Sequence, residues 1–180
     1  DVTGLYNATV VEKIRGTNVV ATAPTTGQVL KFNGTNWAPG ADDNASGVSI
    51  VLELASSLAE ERKRNQHLLR RGIIFALWSG EELGCLGSSY FVDHPTIPLK
   101  HVITYMNFDM VGRLKENNLI VEGVGSSNTW ARLIEKCNVA GKFSLKLLQD
   151  PYQPTDVTAF YPKEIPVIHF FTGVHEDYNR

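Results

Sequence analysis

The spacing of hydrophobic residues changes near Pro39 and divides the chain into two parts. Before Pro39, short β-branched runs at 8–12 and 18–23 are separated by turn residues, and a second pair of runs flanks Asn33-Gly34. Asn-Gly between short apolar runs is typical of β-hairpins. After Pro39, apolar residues at helical spacing alternate with continuous apolar runs. The pattern therefore predicts antiparallel hairpins followed by alternating helices and strands.

The second part of the chain contains the predicted strands and helices of a layered domain. Continuous apolar runs are typical of strands that are buried on both faces of a sheet. Strands that alternate with helices favour a mostly parallel sheet with helices on both faces. We therefore predict an α/β fold, a three-layer sandwich with a mixed, mostly parallel sheet and the antiparallel hairpins at its N-terminal edge. The predicted strands are 73–78, 101–108, 119–122 and 166–171, and the predicted helices are 46–64, 82–92 and 129–137, with a helical turn at 154–161.

Length and charge limit the classes of function. The 180 residues suit a single domain over 1–180 with a hydrophobic core of its own. The net charge of −2 offers no basic surface to a nucleic acid, and no apolar run approaches the roughly 20 residues of a membrane-spanning helix. Cys85 and Cys137 have no partners at zinc-finger spacing, so both are expected to be small buried hydrophobes. We therefore expect neither a nucleic-acid partner nor a membrane partner.

Acidic residues occur where the predicted strands end and where the first long helix begins. In α/β sheets, functional side chains gather at the carboxyl ends of the strands. Any one of these acids alone is explained as a helix cap, a partner of the helix dipole or a turn residue. Their joint placement among small residues predicts one acidic site at one end of the sheet. The acids are Asp42, Asp43, Glu81, Glu82 and Asp109.

Three motifs around these acids give the sequence a family resemblance. They are Pro-Gly-Ala-Asp-Asp-Asn-Ala-Ser-Gly at 39–47, Trp-Ser-Gly-Glu-Glu-Leu-Gly at 78–84 and Asn-Phe-Asp-Met at 107–110. The segments 154–156 and 173–178 support them and occur in the expected order. With these motifs, the sequence resembles the M28 family of zinc-dependent aminopeptidases and carboxypeptidases over most of its length.

The resemblance implies a role for four of the acids. Asp43 would bridge two zinc ions, while Glu82 and Asp109 would each bind one of them. Glu81 would be the general base, which must lie within hydrogen-bond reach of the proton that it removes. A bridging carboxylate offsets the repulsion between two cations. The implied function is a metal-dependent exopeptidase of aminopeptidase type, which hydrolyses peptide substrates through a metal-activated water in a secreted or periplasmic location.

The sequence departs from the family at both positions where the family places a metal-binding histidine. No histidine lies between Val19 and Pro39; the atypical segment 24–39, similar to short repeats of phage tail-fibre proteins, replaces the family's His-x-Asp region. Asn179 stands where the second histidine is expected. Carboxylates without nitrogen ligands suit Ca²⁺ or Mg²⁺ better than zinc. We therefore predict weak zinc binding. The alternative is a shortened, catalytically inactive or chimeric relic of the fold that acts as a binding or structural module.

Three further expectations concern the histidines and the atypical segment. His175 is expected to lie in a loop or substrate pocket, and replacement of a missing metal ligand is the alternative for it. His169, within an apolar run, is expected to be a hydrogen-bonded core residue. The segment 24–39 is expected to form an exposed hairpin or loop, because prolines are poorly tolerated in central strands.

Overall fold

The computed structural model describes residues 42–67 and 70–176, together with the backbone of short strands between residues 2 and 39. Those strands are β1 Val2–Thr3, β2 Val10–Val11, β3 Lys13–Ile14, β4 Thr17–Asn18, β5 Leu30–Phe32 and β6 Trp37–Pro39. β5 pairs with β6 and places Phe32 opposite Trp37, which confirms the hairpin predicted there. The Asn33-Gly34 turn itself lies outside the described residues.

The first predicted hairpin is partly wrong. The runs 8–12 and 18–23 were expected to pair, whereas β2 pairs with β1, and the hairpin is formed by the shorter strands β3 and β4. Residues 19–23 lie outside the described part. The three antiparallel pairs are separate two-stranded sheets, so in the described part they do not form an edge of the central sheet. The pairing of β5 with β6 agrees with the prediction that 24–39 stays outside that sheet; its exposure remains a prediction.

The central sheet consists of β7 Tyr105–Phe108, β8 Asn118–Glu122, β9 Ser144–Leu147 and β10 Val167–Phe171. The strand order is β7-β10-β8-β9. β10 is parallel to β7 and antiparallel to β8, and β8 is parallel to β9. This sheet confirms the predicted mixed, mostly parallel arrangement. Because β7 and β10 are parallel, their carboxyl ends lie at the same end of the sheet.

The helices are α1 Asp42–Arg64, α2 Leu86–Asp93, α3 Trp130–Gly141 and α4 Val157–Phe160, with 3-10 turns at Leu99–His101, Val124–Ser126 and Tyr161–Lys163. Alternation along β10 places Val167 on one face of the sheet and Ile168 on the other, and both are buried. Val167 packs with residues of α2 and α4, and Ile168 packs with Trp130 of α3. Helices therefore cover both faces, as predicted. None of the described helices is long and apolar enough to cross a membrane.

The prediction of a buried strand at 73–78 is wrong. Residues 72–78 form no helix, and no described strand pairs with them. Without a neighbouring strand, the apolar side chains stay in contact with water: Ile74 is 55% exposed and Leu77 is 57% exposed. Trp78 is less exposed, because it packs against Phe91 at 5.2 Å between ring centroids. The segment 72–78 is therefore held by packing at Trp78, and most of its other side chains are exposed to solvent.

Other differences concern boundaries and one missed strand. The strand predicted at 101–108 begins only at Tyr105, after a 3-10 turn. The helix predicted at 82–92 begins at Leu86, because a turn precedes it. β9 was not predicted, since its alternation covers only four residues. Cys137 is exposed rather than buried, because it lies on the solvent side of α3.

Candidate active site

The helix α1 begins close to the carboxyl end of β7. Asn44 donates a hydrogen bond from Nδ2 to the carbonyl oxygen of Phe108 (2.9 Å). A Cβ atom on Gly47 would overlap the same oxygen, so only glycine fits this approach. The backbone at Asp43 is not helical, with φ −95° and ψ 102°. The start of α1 therefore places Asp43 beside the end of β7.

Two more side chains of α1 hold the segment that follows Asp109. Ser46 Oγ accepts a hydrogen bond from the N–H of Val111 (2.9 Å). Asp42 Oδ1 accepts one from the N–H of Gly112 (2.7 Å). The first turn of α1 and the segment after β7 are thus one hydrogen-bonded unit.

Asp109 follows β7 directly and is largely withdrawn from water. Its N–H donates to the carbonyl of Phe170 in β10 (3.3 Å). Its Oδ1 atom is buried and has no hydrogen-bond partner in the described part of the chain. Burial, as the largest cause, and the nearby carboxylates of Asp43 and Glu81 together raise the pKa of Asp109 to about 7. Asp109 is therefore a largely buried acid, and the causes of its raised pKa include no neighbouring cation.

Glu81 and Glu82 lie in the turn between the segment 72–78 and α2. The N–H of Cys85 donates to the carbonyl of Glu81 (2.8 Å), which closes this turn. Burial raises the pKa of Glu81, and Asp156, Asp43 and Glu82 add to that rise. Glu82 is exposed. The structure thus brings Glu81 within electrostatic reach of the acids at the start of α1 and at the end of β7.

Asp156 is a member of this acidic group that was not predicted as a site residue. It precedes α4, is 7% exposed and accepts a hydrogen bond from Ser88 Oγ (2.5 Å). Burial raises the pKa of its carboxyl group, which the Ser88 hydroxyl partly offsets. The signal in the sequence was the Pro-Thr-Asp segment at 154–156, which supported the resemblance but carried no role. Asp156 joins Asp43 among the causes of the raised pKa of Glu81.

Comparison with known proteins identifies the family. The sequence profile described as Peptidase family M28 matches residues 19–180. This chain belongs to peptidase family M28. The predicted resemblance is therefore confirmed.

The M28 chain is similar to parts of longer aminopeptidases. It is 32% identical to Leucine aminopeptidase 2 of Trichophyton equinum over 145 residues, which cover 75% of this chain and 28% of that protein. It is 38% identical to an aminopeptidase of Pseudomonas aeruginosa strain UCBPP-PA14 over 89 residues, 49% of this chain and 16% of that protein. The chain therefore spans less than a third of the length of these relatives.

Solved structures are similar over comparable stretches. The aminopeptidase from Aneurinibacillus sp. strain AM-1 has a TM-score of 0.52 and 21% identity, and the similarity covers 77% of this chain and 32% of that one. That likeness supports the α/β fold. A zinc aminopeptidase from Bacillus subtilis has a TM-score of 0.47 and 31% identity, over 57% of this chain and 28% of that one.

His175 is engaged with an aspartate of the M28 motif. Its Nε2 atom lies 2.8 Å from Oδ2 of Asp42, and only 6% and 3% of the two side chains are exposed. Asp42 is not one of the acids to which the resemblance gives a metal. The Nε2 atom of His175 is therefore engaged by Asp42, and the alternative that His175 replaces a missing metal ligand stays a prediction.

His169 lies in the core of the M28 chain, as predicted, but without the predicted hydrogen bonds. It is 4% exposed, and neither ring nitrogen has a hydrogen-bond partner of normal geometry in the described part. Nδ1 is 3.5 Å from Oε2 of Glu122, which lies opposite it on β8. Burial lowers the pKa of His169 to about 4, and an interaction with the backbone of Asp109 partly offsets this effect. The imidazole is therefore neutral at pH 7.

The acidic group fits a divalent cation in charge and donor chemistry. Carboxylate oxygens are the donors that hard cations take, and the unpartnered Oδ1 of Asp109 is such a donor. Zinc sites generally add nitrogen or sulfur. Within residues 42–67 and 70–176, no three His, Cys, Asp or Glu side chains form a closed metal-holding group. The ligand roles of Asp43, Glu82 and Asp109 and the base role of Glu81 therefore stay predictions.

Proposed function

We propose that this M28 chain is a metal-dependent exopeptidase module of aminopeptidase type that acts on peptides. The observation that carries the proposal is the buried, unpartnered Oδ1 of Asp109, next to the acids that raise its pKa. A buried carboxylate without a hydrogen bond costs free energy unless a charge compensates it. A divalent cation provides that compensation. Family membership supports peptides as the substrate class.

Each acid has a proposed task. Asp43, Glu82 and Asp109 supply carboxylate oxygens to the cation, and Asp43 is the candidate bridging ligand. When bound, the cation polarises a carbonyl and acidifies a water. Glu81 accepts a proton as the general base, and the burial that raises its pKa brings it closer to the pH at which it operates. A secreted or periplasmic location belongs to the same proposal.

We propose zinc as the cation of this site, and we propose that this chain binds it weakly. The segment between Val19 and Pro39 has no histidine, and Asn179 offers only a neutral amide. The Nε2 atom of His175 is hydrogen-bonded to Asp42. With carboxylates as its main ligands, the site accepts Mg²⁺ or Ca²⁺ more readily than a typical zinc site does.

Elemental analysis and calorimetry test this proposal. The full chain is purified without chelator, its metal content is measured, and it is titrated with Zn²⁺ and Mg²⁺ in separate experiments. Turnover of an aminoacyl-anilide is then measured on the metal-loaded chain, with Glu81→Gln as the matched control. We expect weak cation binding and slow hydrolysis that the Glu81→Gln substitution abolishes. Hydrolysis that survives this substitution would contradict the assigned base, and tight binding of two zinc ions would contradict the weak site.

A binding or structural module without turnover is the second candidate. The absence of a closed group of three metal donors in the described residues favours it. This candidate predicts that the purified chain contains no metal and that added cations produce no hydrolysis. Cation uptake together with Glu81-dependent turnover excludes it.

A further inference from the structure

Asp42 has no role in the family resemblance, yet its carboxylate joins two other parts of the site. Oδ1 accepts a hydrogen bond from the N–H of Gly112 (2.7 Å), and Oδ2 lies 2.8 Å from Nε2 of His175. Only 3% of the Asp42 side chain and 6% of the His175 side chain are exposed. Short charge-assisted contacts in a low-dielectric interior hold their partners in one arrangement.

The place of Asp42 in the chain connects these contacts to the candidate ligands. Asp42 directly precedes Asp43, and Gly112 lies three residues after Asp109. The carbonyl of Asp42 also accepts a hydrogen bond from Ser46 Oγ (2.9 Å). Both the side chain and the backbone of Asp42 are therefore fixed, and the segments that carry Asp43 and Asp109 are tied together through it.

We propose that Asp42 is a positioning residue of the candidate site and that His175 is its buried partner. Removal of one member of a buried pair leaves the other member without compensation. The uncompensated group then pulls its segment toward water, which changes the spacing between Asp43 and Asp109. The cation-binding consequence rests on the proposed function, whereas the tie between the segments does not.

The test compares three substitutions in the full chain. Asp42→Ala removes both contacts. Asp42→Asn keeps an oxygen for the N–H of Gly112 and offers an amide N–H to His175, so it remains informative if Asp42→Ala does not fold. The control is Asn138→Ala, which also removes two hydrogen bonds, from Asn138 Nδ2 to the carbonyl of Phe143 (2.9 Å) and from the N–H of Phe143 to Asn138 Oδ1 (2.8 Å). Asn138 lies in α3, next to the opposite edge strand β9.

Zn²⁺ affinity by calorimetry and amide hydrogen exchange are the two readouts. For Asp42→Ala we expect at least tenfold weaker Zn²⁺ binding and at least tenfold faster exchange at 110–112 and 172–175. Asp42→Asn should recover part of both effects, because it keeps the shape of the side chain and the acceptor for the N–H of Gly112, whereas the hydrogen bond with His175 changes direction. Asn138→Ala should lower the melting temperature without changing Zn²⁺ affinity. An affinity of Asp42→Ala within twofold of the unmodified chain, or an equal loss in Asn138→Ala, overturns the proposal.

The two readouts separate this inference from the proposed function. If the unmodified chain takes up no Zn²⁺, the proposed function fails, and hydrogen exchange alone decides the role of Asp42. Faster exchange confined to 110–112 and 172–175 then supports the tie between the segments. Exchange that is unchanged, or raised evenly along the chain, refutes it.

Discussion

Substitution of Asp109 by Asn should stabilise the metal-free protein, and only at neutral or alkaline pH. The folded-state pKa is about 7, compared with an ordinary value of 3.8. The folded state therefore binds this proton more strongly than the unfolded state, and stability is lost as the pH rises from 3.8 through about 7. A difference of that size corresponds to at most about 4 kcal/mol. Because Asp109 is partly exposed, water screens its charge, and we expect a gain of about 1–3 kcal/mol for Asp109→Asn at pH 8.

Urea unfolding with a chelator present, at pH values between 4 and 8, measures this effect. The stability of the unmodified chain should fall across this range relative to Asp109→Asn, and the two should converge near pH 4. Asp93→Asn is the matched control, since the Asp93 side chain is 63% exposed. It should change the free energy of unfolding by less than about 0.5 kcal/mol at every pH. If Asp109→Asn brings no gain at pH 8, or the same gain at pH 4, the account of an uncompensated buried charge is wrong.

Three other predictions follow from single residues. Gly47→Ala should cost about 1–3 kcal/mol in urea unfolding because its Cβ would overlap the Phe108 carbonyl, while Gly72→Ala, with nothing within 4 Å, should change stability by less than about 0.5 kcal/mol. The stability of the unmodified chain should fall as the pH falls from 6.5 to about 4, and His169→Gln should abolish this pH-dependent loss. Urea unfolding across that range measures the effect. An unchanged pH dependence in His169→Gln would exclude a neutral buried imidazole. Glu81→Gln should reduce aminoacyl-anilide turnover by about 10²–10⁴-fold and leave the calorimetric cation affinity within about twofold; a parallel loss of affinity would make Glu81 a ligand instead of a base.

The central part of the fold could be predicted because the pattern that decides it is local. The run at 166–171 is apolar apart from His169, and the structure forms β10 there, buried on both faces. The segment 72–78 has an equally apolar pattern but no described partner strand, so composition alone was insufficient. β9 forms because β8 pairs with it across 26 residues of sequence, from Asn118 to Ser144. The spacing of hydrophobic residues along the chain does not predict which distant strands pair.

In the candidate site, too, local patterns could be predicted and long-range contacts could not. Asp43, Glu81 and Asp109 could be proposed from their positions at element ends, and the effects of Asp43 and Glu81 on the pKa of Asp109 are consistent with proximity. The supporting contacts could not be proposed in this way. Asp42 meets His175 across 133 residues of sequence, and Asp156 meets Ser88 across 68. Those contacts depend on the folded geometry of loops, which no local pattern encodes.

The segment 72–78, which no strand in the described part of the chain pairs with, makes protein concentration a variable in each of these experiments. Its sequence, Gly-Ile-Ile-Phe-Ala-Leu-Trp, has neither charge nor proline, and unpaired apolar segments of this kind recruit copies of themselves. Arg70-Arg71 precede it and Glu81-Glu82 follow it. Parallel stacking of two chains would bring like charges together, whereas antiparallel stacking would bring arginine to glutamate. Self-association at high concentration should therefore be antiparallel and should weaken as salt is added.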